Sequence, residues 1–223
     1  MHTPSRPEDL APPRLLWARA VTLALLEVGC WESEEYAVDE DGLWCHSTGA
    51  GGWWRLTLFD GGERAVFVGQ DPDGSHTHIG GKQIDFLAGG PDWLPWELLR
   101  DDAAGNLFGF VYWWEDGAWH RIPYPAELRE DGLDMAAPWV GSDEGFRESA
   151  SSPDPLSGEQ EALHGAEVVR FAALAEAGTV TEADVAALLT TGRAEGYADP
   201  RPAEAVALAA RAGVLAGRAS ASV

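Results

Sequence analysis

The sequence predicts an α+β protein in which an antiparallel sheet of hairpins, with one long and one or two short helices, precedes a small unit of three helices. Two features of the 223-residue chain support this prediction. All eleven tryptophans lie between Trp17 and Trp139, where short aromatic runs alternate with glycine and Asp-Gly turns, a pattern typical of β-hairpins. The 84 residues after Trp139 contain no tryptophan and are dominated by Ala, Leu, Val and Glu at helical spacing.

The N-terminal region begins with residues 1–13, which we expect to be disordered because they are rich in proline and charge. Apolar residues at approximately helical spacing then predict the long helix over 14–28. Aromatic and β-branched runs predict strands at 36–38, 43–46, 53–59, 64–68, 107–114 and 118–122, with hairpin turns at 60–62 and 115–117. Between the two hairpins, Asp92 has the right position to cap a short helix over 93–100.

The C-terminal region predicts three helices, at about 159–177, 182–191 and 203–215. Thr181 and Asp184 have the spacing of a capping box at the start of the second helix. The stretch ESASSPDPLSG that precedes these helices has no apolar periodicity, and its prolines interrupt any continuous helix. The predicted organisation is a disordered segment 1–13, an acidic tryptophan-rich domain 14–150, a linker 151–158, an alanine-rich helical unit 159–216 and a flexible tail 217–223.

The chain carries 37 acidic and 15 basic side chains, a net charge of −22. Nucleic acids and anionic membrane surfaces are bound by clustered Lys and Arg, so this charge argues against both as partners. Residues 1–150 hold 27 acidic and 10 basic side chains, whereas the rest of the chain holds 10 and 5. We therefore expect the acidic surface to belong mainly to the tryptophan-rich domain, where it would steer a basic protein partner.

The sequence also bears on where the protein acts. Its longest apolar stretch, residues 15–28, is too short for a membrane span and includes Arg19 and Glu27. The two cysteines, Cys30 and Cys45, are too few for a disulfide framework. A reducing cytoplasm is therefore the expected location.

The segment DPDGSHTH places Asp71, Asp73, His76 and His78 within eight residues. Carboxylates and imidazoles bind zinc and manganese, so these four side chains are candidate ligands of a divalent metal. A calcium-binding EF-hand is excluded because the twelfth position of such a loop would be Lys82 instead of glutamate. The alternative is a polar loop that ends a strand, in a protein without a cofactor.

From Asp71 to His76 this segment resembles the DxDGSH stretch of type II topoisomerase metal-binding domains. The resemblance implies that Asp71 and Asp73 hold magnesium for phosphoryl transfer. The glutamate-bearing motif that precedes this stretch in that family, and the family's basic DNA-binding surface, have no counterpart in this sequence. The polar-loop interpretation is therefore favoured.

Two pairs of adjacent tryptophans lie on predicted strands, and neighbouring residues of a strand point to opposite faces of the sheet. If helices cover both faces, the outward rings form a second core. Otherwise they form an exposed aromatic patch rimmed by acidic residues, as expected of a protein-binding face. The candidate partner-binding residues are Trp53, Trp93, Trp96, Trp113, Trp114 and Asp116.

The motifs of nucleophilic enzymes and of phosphate-binding loops are not recognisable, so an enzyme is not expected. The leading hypothesis is a non-catalytic protein that binds a basic protein. In its small size, acidity and tryptophan content the chain resembles the toxin-neutralising immunity proteins of bacteria. Two alternatives remain: a carbohydrate or small-molecule module that stacks ligands on tryptophan rings, and a metal-dependent hydrolase centred on the DPDGSHTH loop. The C-terminal helices are a candidate surface for homo-oligomer formation or docking.

Overall fold

The computed structural model describes residues 1–31, 35–47, 51–105, 107–152, 156–193 and 201–217. These residues form an α+β fold with a six-stranded antiparallel sheet, which confirms the predicted fold class. The helices are α1 (Pro13–Leu26), α2 (Trp96–Gly105), α3 (Leu133–Ala136), α4 (Asp143–Ser149), α5 (Gly158–Glu176), α6 (Glu182–Thr191) and α7 (Pro202–Arg211). The strands are β1 (Tyr36–Asp39), β2 (Gly42–His46), β3 (Trp53–Phe59), β4 (Arg64–Gln70), β5 (His78–Ile79), β6 (Lys82–Gln83), β7 (Phe110–Glu115) and β8 (Ala118–His120).

The main sheet has the strand order β1-β2-β3-β4-β7-β8, and β5 pairs with β6 in a separate two-stranded sheet. The chain divides into two compact units: unit 1 is Met1–Pro12 with Trp44–Pro138, and unit 2 is Pro13–Leu43 with Trp139–Val223. This division differs from the predicted boundary at 151–158, because α1 packs with the C-terminal helices. Residues 153–155 of the predicted linker and 218–223 of the predicted tail lie outside the described residues.

Two hairpins form the framework of unit 1. Strand β3 pairs with β4, and β7 pairs with β8, both antiparallel. Each hairpin turns at an Asp-Gly pair: Asp60 and Asp116 have φ of 51° and 52°, and Gly61 and Gly117 have φ of 68° and 79°. Aspartate tolerates this left-handed conformation better than most residues, and glycine adopts it freely. The two predicted turns are therefore confirmed.

The segment between β4 and β7 covers one face of the sheet with a hydrophobic core. The buried core residues are Trp53, Val66, Val68, Phe86, Leu94, Leu99, Phe108, Val111, Trp113, Ile122 and Leu128. On the same face, Arg55 of β3 forms a buried ion pair with Asp102 of α2, with 3.1 Å between Nη1 and Oδ1. Since each large apolar side chain gains roughly 1.5–3 kcal/mol on burial, this core and the ion pair hold α2 over the sheet.

The N-terminal segment, for which composition predicts disorder, packs on the rest of unit 1 in the structure. Residues Pro7–Asp9 form a short 3₁₀ helix, and Leu10 is buried. The indole of Trp119 donates a hydrogen bond to the carbonyl of Ala11 at 2.7 Å. Composition predicts disorder because it does not register contacts with residues more than a hundred positions away.

Helix α1 is the central element of unit 2. Eleven of its fourteen residues are buried, and it packs against α5, α6 and α7. Its buried polar side chain Arg19 donates to the carbonyl of Trp139 at 3.1 Å and to the carboxylate of Asp143 at 2.5 Å. A helix that is apolar on almost every side must be surrounded by other elements. This requirement explains why α1 belongs with the C-terminal helices.

After α1 the chain continues through a π-helical turn, Glu27–Trp31. The buried carboxylate of Glu27 accepts hydrogen bonds from the backbone N–H groups of Glu35 and Tyr36, at 2.8 and 2.9 Å. Gly29 lies so close to α6 that a Cβ there would stand 2.4 Å from Leu189 Cδ2. A larger residue at this position would require the Leu189 side chain to move.

The predicted capping box of α6 is confirmed. Thr181 Oγ1 accepts from the N–H of Asp184 at 3.2 Å, and Asp184 Oδ2 accepts from the N–H of Thr181 at 3.0 Å. Helix α2, in contrast, begins three residues later than predicted, because proline is favoured at a helix start and disfavoured inside a helix. The carbonyl of Pro95 accepts from the N–H of Leu99 at 2.9 Å. Asp92 therefore precedes the helix without capping it.

Candidate functional site

Acidic turns and aromatic rings lie together at one end of the sheet in unit 1. The β3–β4 and β7–β8 turns share this end because β4 and β7 are neighbours, with Ala65 opposite Trp114. Trp93, from the segment before α2, contacts both Phe59 and Glu115 there. We call residues 59–64, 93 and 113–118 the hairpin end.

A single carboxylate holds two indole rings at the hairpin end. Trp93 Nε1 donates to Glu115 Oε2 at 2.8 Å, and Trp113 Nε1 donates to Glu115 Oε1 at 3.1 Å. Phe59 packs edge-on against Trp93, with 6.0 Å between ring centroids. Because its N–H group and one edge are both engaged, the half-buried Trp93 ring is held in a fixed orientation.

The Trp93 ring carries a guanidinium group. The Arg64 Cζ atom lies 5.1 Å from the ring centroid, and Arg64 Nε donates to Asp60 Oδ2 at 2.8 Å. A cation over an indole face is attracted by the quadrupole of the ring, and the carboxylate fixes the orientation of the guanidinium. The hairpin end thus already holds one cation, which comes from the protein's own chain.

Negative charge exceeds positive charge at the hairpin end. Its sequence contains four carboxylates, Asp60, Glu63, Glu115 and Asp116, and one cation, Arg64. Glu63 and Asp116 are exposed. The local field therefore favours the approach of a further cation, and the exposed carboxylates are positioned to pair with it.

Four of the six predicted partner-binding residues lie at the hairpin end: Trp93, Trp113, Trp114 and Asp116. Trp113 is only 8% exposed and belongs to the core. Trp114 points to the opposite face of the sheet, is half-buried, and packs edge-to-face against Trp119 with 5.6 Å between centroids. The rings differ in accessibility, and Trp93 and Trp114 are the two that are partly exposed.

The other two predicted tryptophans lie elsewhere. Trp53 is at the far end of β3, opposite Gln70, where it is 9% exposed and packs against Phe108 at 5.8 Å. Trp96 begins α2 and is half-buried, with the Arg100 Cζ 5.5 Å from its ring centroid. Since Trp54 is also buried, both rings of the first tryptophan pair are enclosed, as the second-core alternative expects.

The DPDGSHTH loop does not assemble its four candidate metal ligands. Asp71 Oδ1 accepts hydrogen bonds from the backbone N–H groups of Asp73 and Gly74, at 3.0 and 2.7 Å. The exposed His76 Nδ1 accepts from a backbone N–H at 3.4 Å, and His78 Nδ1 lies 3.0 Å from Thr77 Oγ1. Across the described ranges, no group of three or more His, Cys, Asp and Glu side chains is arranged to hold a metal ion. Asp71 instead stabilises the turn that ends β4.

Sequence reasoning missed a buried polar network around Asp131. Its carboxylate accepts from the backbone N–H of Ser5 at 3.2 Å, from the hydroxyl of Ser5, and from the hydroxyl of Tyr124 at 3.0 Å. Since the Ser5 proton is directed at Asp131, the hydroxyl of Tyr112 donates to Ser5 Oγ, 2.7 Å away. The separation of Ser5 and Asp131 by 126 positions leaves no local signal of this contact.

The chemistry of this network is structural. Burial, with the nearby charge of Asp131, raises the pKa of both Tyr112 and Tyr124, so their hydroxyls stay protonated donors. Ser5 is 1% exposed, so its hydroxyl is not accessible to a substrate. The network therefore fastens the N-terminal segment to unit 1.

Two of the surface grooves in the described part of unit 2 have volumes of about 690 and 1020 Å³. The larger one lies beside α4 and α5 and includes His164, which is 3% exposed. The Nε2 atom of His164 donates to the carbonyl of Ala150 at 2.9 Å, and burial lowers the pKa of its imidazole. This imidazole therefore joins two packed segments and is not directed at a ligand.

In the part of the chain that the structure describes, every helix is too short or too polar to cross a bilayer. Comparison of this chain with known protein families, characterised proteins and solved structures finds no match.

Proposed function

We propose that this protein binds a cationic protein partner through the hairpin end. The observation that supports this most directly is the environment of Trp93: the ring is half-buried, is fixed by Glu115, and already carries one guanidinium. An indole surface of this kind offers both apolar contact area and attraction for a cation. The exposed carboxylates of Glu63 and Asp116 in the adjacent turns are suited to pair with the same partner.

The charge of the whole molecule supports the same proposal. Unit 1 holds 17 acidic and 7 basic side chains, a net charge of −10, and unit 2 holds 20 and 8, a net charge of −12. Counting charges on either side of residue 150 placed most of the acidity with the tryptophans. Counting them by the two compact units shows that both units are similarly acidic. A field of this sign speeds the encounter with a cationic protein, and the aromatic ring of the hairpin end would determine where that protein docks.

The arrangement of the rings favours this proposal over a carbohydrate-binding module. Trp53 and Trp113 are buried, which leaves no open face for a sugar on either ring. The exposed carboxylates of Glu63 and Asp116 near Trp93 can form ion pairs with a cationic partner, which a neutral sugar cannot. A metal-dependent hydrolase receives no support from the DPDGSHTH loop, whose Asp71 carboxylate is used by the backbone of the loop.

Within this class, a toxin-neutralising protein is the kind of binder we propose, because a basic toxin would match the net charge of −22. The sequence has two cysteines, too few for a disulfide framework, which supports a reducing compartment such as the cytoplasm. Co-expression with a candidate toxin tests this assignment. Growth should be rescued by the wild-type protein and less well by a variant that lacks the carboxylates of the hairpin end.

The binding proposal is tested with a purified partner. Proteins captured from a lysate of the producing cells are purified and titrated against the wild-type protein at increasing ionic strength. We expect a basic partner whose Kd rises steeply with salt, since screening weakens attraction between opposite charges. A neutral partner, or a Kd that does not respond to salt, would contradict the proposal.

A double variant tests the location. Glu63→Gln with Asp116→Asn removes two exposed charges, and asparagine tolerates the φ of 52° at position 116, so the turn is retained. The matched control, Glu127→Gln with Glu130→Gln, removes two exposed charges of unit 1 outside the hairpin end. The first variant should weaken binding about tenfold more than the second. Equal effects of the two variants would assign the docking site to another surface.

A further inference from the structure

We infer that the hairpin end selects arginine over lysine in its partner, and that Arg64 of the protein's own chain competes with the partner's arginine for Trp93. This inference rests on the proposed function, because it concerns the same surface and the same cationic partner. The side chain recognised in the partner is an arginine, and Arg64 regulates its access to the Trp93 ring.

The aromatic rings of unit 1 already accommodate guanidinium groups of its own chain. Unit 1 has six arginines and one lysine. Three of the arginines lie over half-buried aromatic rings: Arg64 is 5.1 Å from the centroid of Trp93, Arg100 is 5.5 Å from that of Trp96, and Arg121 is 3.5 Å from that of Tyr124. The rings of this unit therefore repeatedly accept a guanidinium group.

The geometry at Trp93 suits a planar, forked cation. Asp60 Oδ2 accepts from both Nε and Nη2 of Arg64, at 2.8 and 2.5 Å, while the guanidinium lies over the indole. A guanidinium can stack on a ring and donate two hydrogen bonds at once. A lysine ammonium is a compact, strongly hydrated charge and cannot reproduce both contacts. Trp93 and Asp60 therefore form a platform and a carboxylate that match arginine.

Arg64 can be displaced from this position. Its side chain is 39% exposed and that of Asp60 is 56% exposed, and ion pairs at such exposure are weak and screened by salt. A partner's arginine can bind only to those protein molecules in which Arg64 has left the Trp93 ring. Its apparent affinity therefore equals its intrinsic affinity multiplied by the fraction of such molecules. Arg64 thus acts as an internal competitor that lowers the affinity of the Trp93 ring for a partner's cation.

The test uses the full-length protein and two peptide probes of equal length, an oligo-arginine and an oligo-lysine, titrated by calorimetry. The wild-type protein should bind oligo-arginine roughly fivefold more tightly than oligo-lysine. Arg64→Gln should strengthen oligo-arginine binding by a further factor of about five, and oligo-lysine binding by less. Arg129→Gln, which removes an exposed charge of the same unit away from Trp93, should change both affinities slightly and equally.

A second variant separates competition from charge. Arg64→Lys keeps the charge and removes the fork, so it too should strengthen oligo-arginine binding, and it serves alone if the glutamine variant does not fold. The inference is overturned if the two peptides bind with equal affinity and the variants at position 64 change binding no more than Arg129→Gln does. The proposed function would still stand in that case. The proposed function itself fails if neither peptide responds to Glu63→Gln with Asp116→Asn.

Discussion

At the scale of single residues, Asp131 binds both the backbone N–H and the hydroxyl of Ser5 in the N-terminal segment. Ser5 and Tyr124 both donate hydrogen bonds to the carboxylate of Asp131. In Asp131→Asn one of the two oxygens becomes an amide N–H₂, which cannot accept from these donors. We expect a loss of about 2–4 kcal/mol in the free energy of unfolding, measured by urea denaturation. The control is Asp134→Asn, an exposed position three residues away, which should cost less than about 0.5 kcal/mol. Equal losses would show that the network contributes little.

His164 gives unit 2 a defined response to pH. Burial lowers the pKa of its imidazole from the ordinary value of 6.5. As the pH falls below 6.5, the unfolded chain binds a proton at this residue more readily than the folded protein does. The stability contributed by neutral His164 is therefore present above pH 6.5 and is lost progressively toward the lower pKa of the folded state.

The measurement is the free energy of unfolding of wild-type protein and His164→Gln between mildly alkaline and mildly acidic pH. Glutamine retains an N–H donor for the carbonyl of Ala150 but does not titrate. The wild-type curve should fall more steeply below pH 6.5 than that of the variant. Parallel curves would contradict the assignment of a depressed pKa to His164.

At the scale of elements, the π-helical turn after α1 packs closely against helix α6 at Gly29, which has no side chain. Gly29→Ala would put a Cβ 2.4 Å from Leu189 Cδ2, so the buried Leu189 side chain would have to move within a packed core. We expect a loss of about 1–3 kcal/mol in the free energy of unfolding. The matched variant is Gly165→Ala in α5, where a Cβ would meet no atom within 4 Å.

The two alanine variants should act in opposite directions. At position 165 alanine should stabilise the helix by about 0.5–1 kcal/mol, because glycine loses more conformational freedom on folding. Thermal unfolding followed by circular dichroism measures both effects. A stabilising Gly29→Ala would refute the close approach of the π-helical turn and α6.

Elements governed by local chemistry could be predicted from the sequence. The hairpin turns follow from Asp-Gly pairs, and the α6 cap follows from Thr181 and Asp184, since each signal lies within four residues. The position of α1 in unit 2 could not be read in this way, because it depends on which distant helices surround an apolar segment. Asp92 does not mark the start of α2, because Pro95, whose conformation is favoured at a helix start, precedes the first helical residue, Trp96.

At the scale of the whole molecule, a net charge of −22 acts on stability as well as on binding. Both units carry excess negative charge, so repulsion within each opposes its compact state. Adding sodium chloride screens this repulsion, and we expect the free energy of unfolding to rise with ionic strength. Urea is the denaturant for this measurement, because guanidinium is itself a salt. Stability that falls on addition of salt would show that attractive ion pairs outweigh the repulsion.

The candidate site was only partly predictable from the sequence. Trp93, Trp114 and Asp116 were selected because acid and aromatic residues coincide there, and the structure places all three at the hairpin end. Glu115 and Arg64 were not selected, although they fix and cover the Trp93 ring. Their roles depend on the pairing of β4 with β7, which brings two separate turns to one end of the sheet.

The central claim is that a cationic partner docks on the Trp93 ring. The most direct measurement is an NMR titration of the full-length protein, labelled with ¹⁵N at tryptophan, against an oligo-arginine peptide, with each indole N–H observed separately. We expect the Trp93 signal to shift most and the Trp113 signal to follow through the shared Glu115, while the signal of the buried Trp139 stays in place. Shifts that avoid Trp93, or a titration that leaves every indole signal unchanged, would contradict it.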